Sequence, residues 1–258
     1  LFTRTITPRL QRTMMADFRR AQKRLFFLDY DGVLMPLSRK TNYVPPTTKL
    51  IKLLNKLCAD SRNTVVVISG RPKSDLDGWF DHGPLALVAE HGAFWREPGR
   101  KSWHSLIDRA PGGWQQRILP ILEKYAALTP GAFVEQKQES LVWHYAQAKP
   151  YYAQKYLIIL KRTLRPLVKR LKLQAQSGHM ILEVRPAGID KGTAAQHWLA
   201  AKPDCIIAIG DDYTDEDTFA VMPADAYSIK VGRAHTAAGY RLKNVCEVHN
   251  LLEKLAKA

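Results

Sequence analysis

Five short apolar runs, each closed by a polar or glycine-containing turn, most limit what this 258-residue chain can fold into. They cover residues 25–28 before Asp29, 64–68 before Ser69-Gly70, and 85–89 before Glu90-His91-Gly92. Two more cover 205–209 before Gly210-Asp211 and 226–231 before Gly232. Val, Ile, Leu and Phe without polar alternation read as strands buried on both faces, the habit of parallel sheets. Amphipathic stretches lie between them; residues 47–58 carry Leu50, Ile51, Leu54 and Leu57 at helical spacing. Strands alternating with helices predict an α/β fold, a doubly wound parallel sheet that binds ligands at the carboxyl ends of its strands.

Residues 95–185 break this pattern. Residues 132–137 and 140–145 are neighbouring strand-like runs, the second alternating Leu141, Trp143 and Tyr145 against Val142 and His144. Residues 171–176 and 180–184 form another pair, and helical stretches are expected at 113–127 and 150–170. The second stretch carries Leu157, Leu160, Leu164, Leu167 and Leu171 in steps of three and four, opposite a basic face, and Pro166 is expected to kink or interrupt it. This reads as an α+β module inserted between two parts of the α/β domain, 25–94 and 186–258. Residues 1–24 lack a periodic apolar pattern and are expected to be a basic linker. The chain begins at Leu1 rather than Met, which reads as a fragment.

The net charge of +15 suggests a polyanion partner until it is located. Residues 1–24 carry +6 and residues 149–172 carry +8, leaving the rest of the chain close to neutral. Neither stretch contains a recognisable nucleic-acid-binding motif, so no nucleic-acid partner is expected. No apolar run approaches the ~18–20 residues of a membrane span. Three cysteines without a Cys-x-x-Cys pair argue against disulfides and thiolate zinc, and for a reducing, cytoplasmic setting.

The chemistry gathers at the strand ends. Residues 25–34, LFFLDYDGVL, deliver Asp29 and Asp31 two residues apart, and such carboxylates repel unless a cation or a proton intervenes. A second acidic cluster, Gly210-Asp211-Asp212-Tyr213-Thr214-Asp215-Glu216-Asp217, ends another strand. Together they offer the oxygen-only ligands that Mg²⁺ prefers. Ser69-Gly70-Arg71 brings a hydroxyl and a guanidinium suited to phosphate oxygens, and Lys191 can add a positive charge at the same edge. The set predicts phosphoryl transfer.

In this order, DxDG, SGR, Lys and GDDxTDED, the chain resembles the haloacid-dehalogenase superfamily, whose core is a Rossmann-like sheet. Over about residues 25–250 it is similar to trehalose-6-phosphate phosphatases, above all to the phosphatase domain of bifunctional synthase–phosphatase proteins. LDYDGVL, NTVVVISGR, AEHGAFWR, SLVWHY, LEVRPAGIDKG and IGDDYTDEDTFAVMPADAYSIKVG carry the resemblance. It implies Asp29 as nucleophile, Asp31 as acid and base, and Ser69 and Lys191 on the phosphoryl oxygens. It implies Mg²⁺ on Asp29, the Asp31 carbonyl and Asp211, with Asp215 and Asp212 organising that shell. It implies trehalose 6-phosphate as substrate, a possible fused or associated synthase domain, and the inserted module as a cap.

Substrate binding is expected at Arg71, Glu90, His91, Gly92, Glu135, Lys137, His144, His179, Glu183 and Arg185; for the sugar itself the resemblance suggests Glu90 and His91 and, from the module, Glu183 with Glu135, Lys137, His144 and Arg185. The chain departs from the family at Val33, where Thr is usual, at His179, where Lys is expected, and at Ala146 and Lys149. These leave open a related sugar phosphatase of different preference. A catalytically weak domain serving a synthase is opposed by the complete set Asp29, Asp31, Ser69, Lys191 and Asp211.

Overall fold

The computed structural model describes residues 3–37, 44–81, 83–106, 112–178 and 180–258. In chain order its elements are β1 (Arg4–Thr5), α1 (Pro8–Arg20), β2 (Arg24–Asp29), α2 (Thr48–Cys58), β3 (Asn63–Ile68), α3 (Lys73–Phe80) and β4 (Ala86–Ala89). There follow a short 3-10 turn (Glu90–Gly92), β5 (Phe94–Arg96), β6 (His104–Ser105), α4 (Trp114–Ala127), β7 (Phe133–Gln136), β8 (Leu141–His144) and α5 (Pro150–Arg170). The chain continues with β9 (Leu173–Gly178), β10 (Ile181–Pro186), α6 (Lys191–Leu199), β11 (Cys205–Gly210), α7 (Asp215–Val221), β12 (Tyr227–Val231), β13 (Tyr240–Leu242) and α8 (Val245–Leu255). Two compact units result: Leu1–Leu106 with Asp190–Ala258, and Ile107–Ile189.

The first unit is a doubly wound α/β layer structure. Its sheet runs β1-β13-β12-β11-β2-β3-β4-β5-β6 and is parallel except for β5 and β6. All six residues of β2 and of β11 are buried, which explains their unalternating sequence. Asp29 pairs with Ile68 and Leu28 with Ile209, so three chemistry-bearing turns leave adjacent strands side by side. Helix starts are fixed by side chains: Thr47 accepts from the Leu50 N–H and Asp190 from the Thr193 N–H. The Asp190 cap begins α6 at Lys191.

Two boundaries differ from the sequence expectation. Residues 94–105 belong to the core sheet, because β5 and β6 extend its edge antiparallel and the buried Arg96 binds Asp77 and the Asp81 carbonyl. The inserted unit therefore starts at 107 rather than 95, and ends at 189 rather than 185. The expected linker 1–24 is folded over its described residues 3–24: α1 buries Met14 and Phe18 completely, and β1 pairs with β13. Arg24 stacks on Phe18 at 4.0 Å and reaches Asp60 at 3.0 Å.

The second unit is an antiparallel sheet, β7-β8-β10-β9, packed on α4 and α5. Trp143, Leu182 and Val184 share a core with Ile118, Leu122, Leu160 and Leu164. Helix α5 runs uninterrupted through the exposed Pro166, since burial of Leu160 and Leu164 outweighs one missing backbone donor. Among the described residues, no helix is long and apolar enough to cross a membrane.

Candidate active site

Asp29 ends β2, and its Oδ1 accepts from Lys191 Nζ at 2.8 Å. The same ammonium donates to Asp215 Oδ1 at 2.7 Å. Asp215 Oδ2 in turn accepts the backbone N–H groups of Asp211 and Asp212, at 2.9 and 3.0 Å. The first residue of α7 thus folds the acidic loop back onto itself and ties it to the lysine.

Asp29, Asp211 and Asp215 offer carboxylate oxygens all within 4.8 Å of one another. Burial pushes the Asp29 carboxyl well above the usual carboxylate range, and Asp215 nearby adds to the effect. Burial and the same neighbour lift Asp211 to about 7. For Lys191 burial alone would lower the value, but Asp215 and Asp29 outweigh it and hold the ammonium charged. One ammonium against three carboxylates leaves two negative charges uncompensated when all are ionised. A hard divalent cation fits this donor set, and three oxygens plus water suit Mg²⁺.

Asp31 lies in the turn after β2. Gly32 has φ +82°, and a Cβ on it would sit 2.0 Å from the Asp211 carboxylate, so the two acidic loops meet only because this residue is glycine. Both oxygens of Asp31 are forked by Arg71, from Nε at 2.8 Å and from its terminal amine at 2.7 Å. Ser69 Oγ accepts from the Arg71 N–H at 3.1 Å. Glu90 and His91 donate their N–H groups to the Arg71 and Ser69 carbonyls, each at 3.0 Å. Glu90 and His91 have φ of +47° and +56°, an uncommon conformation for residues with side chains. Gly92 packs on the Asp190 carbonyl, which a Cβ would approach to 2.4 Å.

Asp29, Asp31, Ser69, Arg71, Glu90, His91, Gly92, Lys191, Asp211 and Asp215 therefore all belong to the strand ends, turns and helix starts of the first unit. The module residues form a second group. Strand register aligns Glu135, Val142, Glu183 and Gln176 in one row across the second sheet. With Leu182 and Val184 turned into the helix-packed core, the opposite face carries Glu135, His144, Glu183 and Arg185. Lys137 continues the same alternation beyond β7.

His144 Nε2 meets Glu135 Oε2 at 2.7 Å, and its ring stacks on Phe133. Burial would raise Glu135, but His144 and Lys137 hold it below its ordinary value. Glu183 and Arg185 are both buried, 3.5 Å apart, and Arg185 also donates to Gln176 Oε1 at 2.8 Å. His179 lies outside the described residues.

Two features escaped the sequence reading. One is the Arg71–Asp31 fork. The other is Lys230, buried in β12, which donates to the Asp212 carbonyl at 2.7 Å and to Glu216 at 3.1 Å, pinning the acidic loop. Its signal was a charged residue inside a strand-like run whose only other polar side chains are Ser228 and the Tyr227 hydroxyl.

Fold and site together define the class: a doubly wound α/β core with an inserted α+β unit, a fold shared with a haloacid dehalogenase-like hydrolase from Bacteroides thetaiotaomicron at a TM-score of 0.63 and 16% identity. The trehalose-phosphatase family matches residues 27–245, and the chain belongs to that family. It is 40% identical over 243 residues to a bifunctional trehalose-6-phosphate synthase/phosphatase of Thermoproteus tenax, covering 94% of this chain and 33% of the relative. It is 32% identical over 239 residues to a trehalose-phosphatase of Saccharomyces cerevisiae, covering 84% of this chain and 27% of the relative. The structure of the C. albicans trehalose-6-phosphate phosphatase C-terminal domain superposes with a TM-score of 0.91 at 27% identity, covering 99% of this chain and 98% of that one. The chain spans about a third of the length of the curated relatives it matches.

Proposed function

We propose that this chain removes the phosphate of trehalose 6-phosphate to give trehalose, with Mg²⁺ and through an aspartyl-phosphate on Asp29. The observation that carries the reading is the Asp29–Lys191–Asp215 chain beside Asp211, with Asp31 one turn away.

In this reading an Asp29 oxygen attacks phosphorus while the phosphorus–oxygen bond to the sugar breaks. Asp31 gives its proton to the leaving sugar oxygen, then takes one from the water that attacks the phosphoenzyme. That second displacement releases inorganic phosphate and restores the Asp29 carboxylate. Ser69 and Lys191 hold the equatorial oxygens and stabilise the charge that develops on them. Asp29, Asp211 and the Asp31 carbonyl would hold Mg²⁺, with Asp215 organising the shell, and the ion would supply charge neutralisation at the phosphoryl group.

Glu90 and His91 in the first unit, and Glu135, Lys137, His144, Glu183 and Arg185 in the second, are proposed to meet the sugar hydroxyls. The shared polar face of the second sheet supports this for the module residues. A reducing, cytoplasmic setting fits three unpaired cysteines. The bifunctional relative supports a fused or associated synthase domain.

The test is phosphate release from trehalose, sucrose, glucose and mannose phosphates, with Mg²⁺ and with EDTA. The reading expects Mg²⁺-dependent release with trehalose 6-phosphate turned over fastest. A faster hexose phosphate would favour the related sugar phosphatase, and release undiminished by EDTA would overturn the metal requirement.

A further inference from the structure

The Arg71 guanidinium is spoken for. Its Nε and one terminal amine fork Asp31, and its other amine lies 3.8 Å from the Asp75 carboxylate. Beneath it the Trp79 ring sits 5.4 Å away, and Trp79 stacks on Tyr30 at 4.8 Å. Tyr30 is fully buried and stands between Asp29 and Asp31 in the chain. Asp31, Arg71, Trp79 and Tyr30 thus make a closed ring of contacts that returns to the Asp31 backbone. The main chain of Arg71 is fixed as well, its N–H on Ser69 Oγ and its carbonyl accepting from Glu90.

A carboxyl group has about four acceptor positions on its two oxygens, and a fork occupies two of them. The remaining two keep room for a proton while the plane of the group is held. We propose that Arg71, backed by Trp79, is a positioning residue that sets the orientation of Asp31 for proton transfer, rather than a ligand of the substrate phosphate. This rests on Asp31 being the acid and base of the reaction.

Proton donation matters most when the leaving group is poor. A sugar alkoxide leaves only with a proton, whereas p-nitrophenolate leaves without one, so in the first displacement, before the water step that both share, the two substrates separate positioning of Asp31 from phosphate binding. Misaligning a catalytic group by ~1 Å costs on the order of 10²-fold. Arg71→Gln should therefore lower kcat on whichever sugar phosphate is turned over by ~10- to 100-fold. In the burst of p-nitrophenolate that accompanies phosphoenzyme formation from p-nitrophenyl phosphate the change should stay within about threefold, with KM little changed on both substrates. Arg71→Lys, which keeps the charge but not the fork, should fall between, and equal melting temperatures establish that the variants fold. Arg71→Gln added to Asp31→Asn should cost nothing further on the sugar phosphate, because one group acts through the other.

Equal losses on both substrates with a raised KM, or losses that add in the double variant, would overturn the assignment and make Arg71 a phosphate ligand. Asp31→Asn serves as the reference for the parent reading. If its first displacement failed to discriminate between the substrates, the acid role of Asp31 would fall, and this inference with it. If Asp31→Asn discriminates and Arg71→Gln does not, the inference alone fails.

Discussion

The two units hold their polar residues by different means. In the first, the residues leave the ends of adjacent parallel strands, and each is clamped by neighbours from other turns: Asp29 by Lys191, Lys191 by Asp215, Asp31 by Arg71. In the second, the residues stand side by side along antiparallel strands, and a period of two decides which face they occupy. A network of charges tied across several turns responds to one substitution as a whole, whereas a face of local pairs, Glu135 with His144 and Glu183 with Arg185, loses one pair at a time. Chemistry should therefore fail abruptly in the first unit and recognition should decline by steps in the second.

The largest expected effect follows from Asp29→Asn. An amide is a poor nucleophile, so phosphate release should drop on the order of 10⁴-fold or more. Circular dichroism should remain native, since the amide fills the same space. Near-wild-type release would break the contrast at its root.

Phe18→Ala addresses whether the first unit extends to its N-terminal helix. Emptying a fully buried phenyl position costs about 3–5 kcal/mol, read as a lowered denaturation midpoint at unchanged slope. Stability within ~0.5 kcal/mol of wild type would return residues 1–24 to the status of a linker.

Glu183→Ala sharpens the other side. One buried hydrogen bond to a sugar hydroxyl is worth on the order of 1–3 kcal/mol, so kcat/KM for trehalose 6-phosphate should fall ~5- to 150-fold. A small aryl phosphate should be barely affected. Equal losses on both would mean that Glu183 and Arg185 support the sheet instead.

The smallest effect concerns the thiols. Burial pushes Cys58 up to about 12 and Cys205 up to about 11, so at pH 8 roughly one in ~10³ or fewer of these thiols is the reactive thiolate. Iodoacetamide followed by mass spectrometry should mark the exposed Cys246 alone and leave phosphate release intact. Rapid labelling of Cys205 would mean that β11 opens readily.

Legibility followed burial. The central strands stood out because β2, β3, β4 and β11 are hidden on both faces and carry nearly unbroken apolar residues. The polar face of the second sheet was legible at Glu183, where alternation with Leu182 and Val184 is clean. Helix α1 was not, since Met14 and Phe18 are its only fully buried side chains and arginines crowd the rest. The edge strands β5 and β6 are three and two residues long, too short to show a period. The Arg71–Asp31 fork spans 40 residues, and an arginine beside a phosphate-type turn has no local mark that tells a carboxylate partner from a phosphate. Pro166 does not interrupt α5, because the rule for proline describes an isolated helix, whereas α5 is held along its length by packing.

The central claim is that Asp29 carries the phosphoryl group. Trehalose 6-phosphate labelled with ³²P, mixed with the Mg²⁺-loaded protein and quenched in acid within one turnover, tests it most directly. The account predicts label bound to protein and located on the peptide containing Asp29, and no bound label in Asp29→Asn. Phosphate released in that same turnover with no protein-bound label at any quench time, or label on another residue, would contradict it.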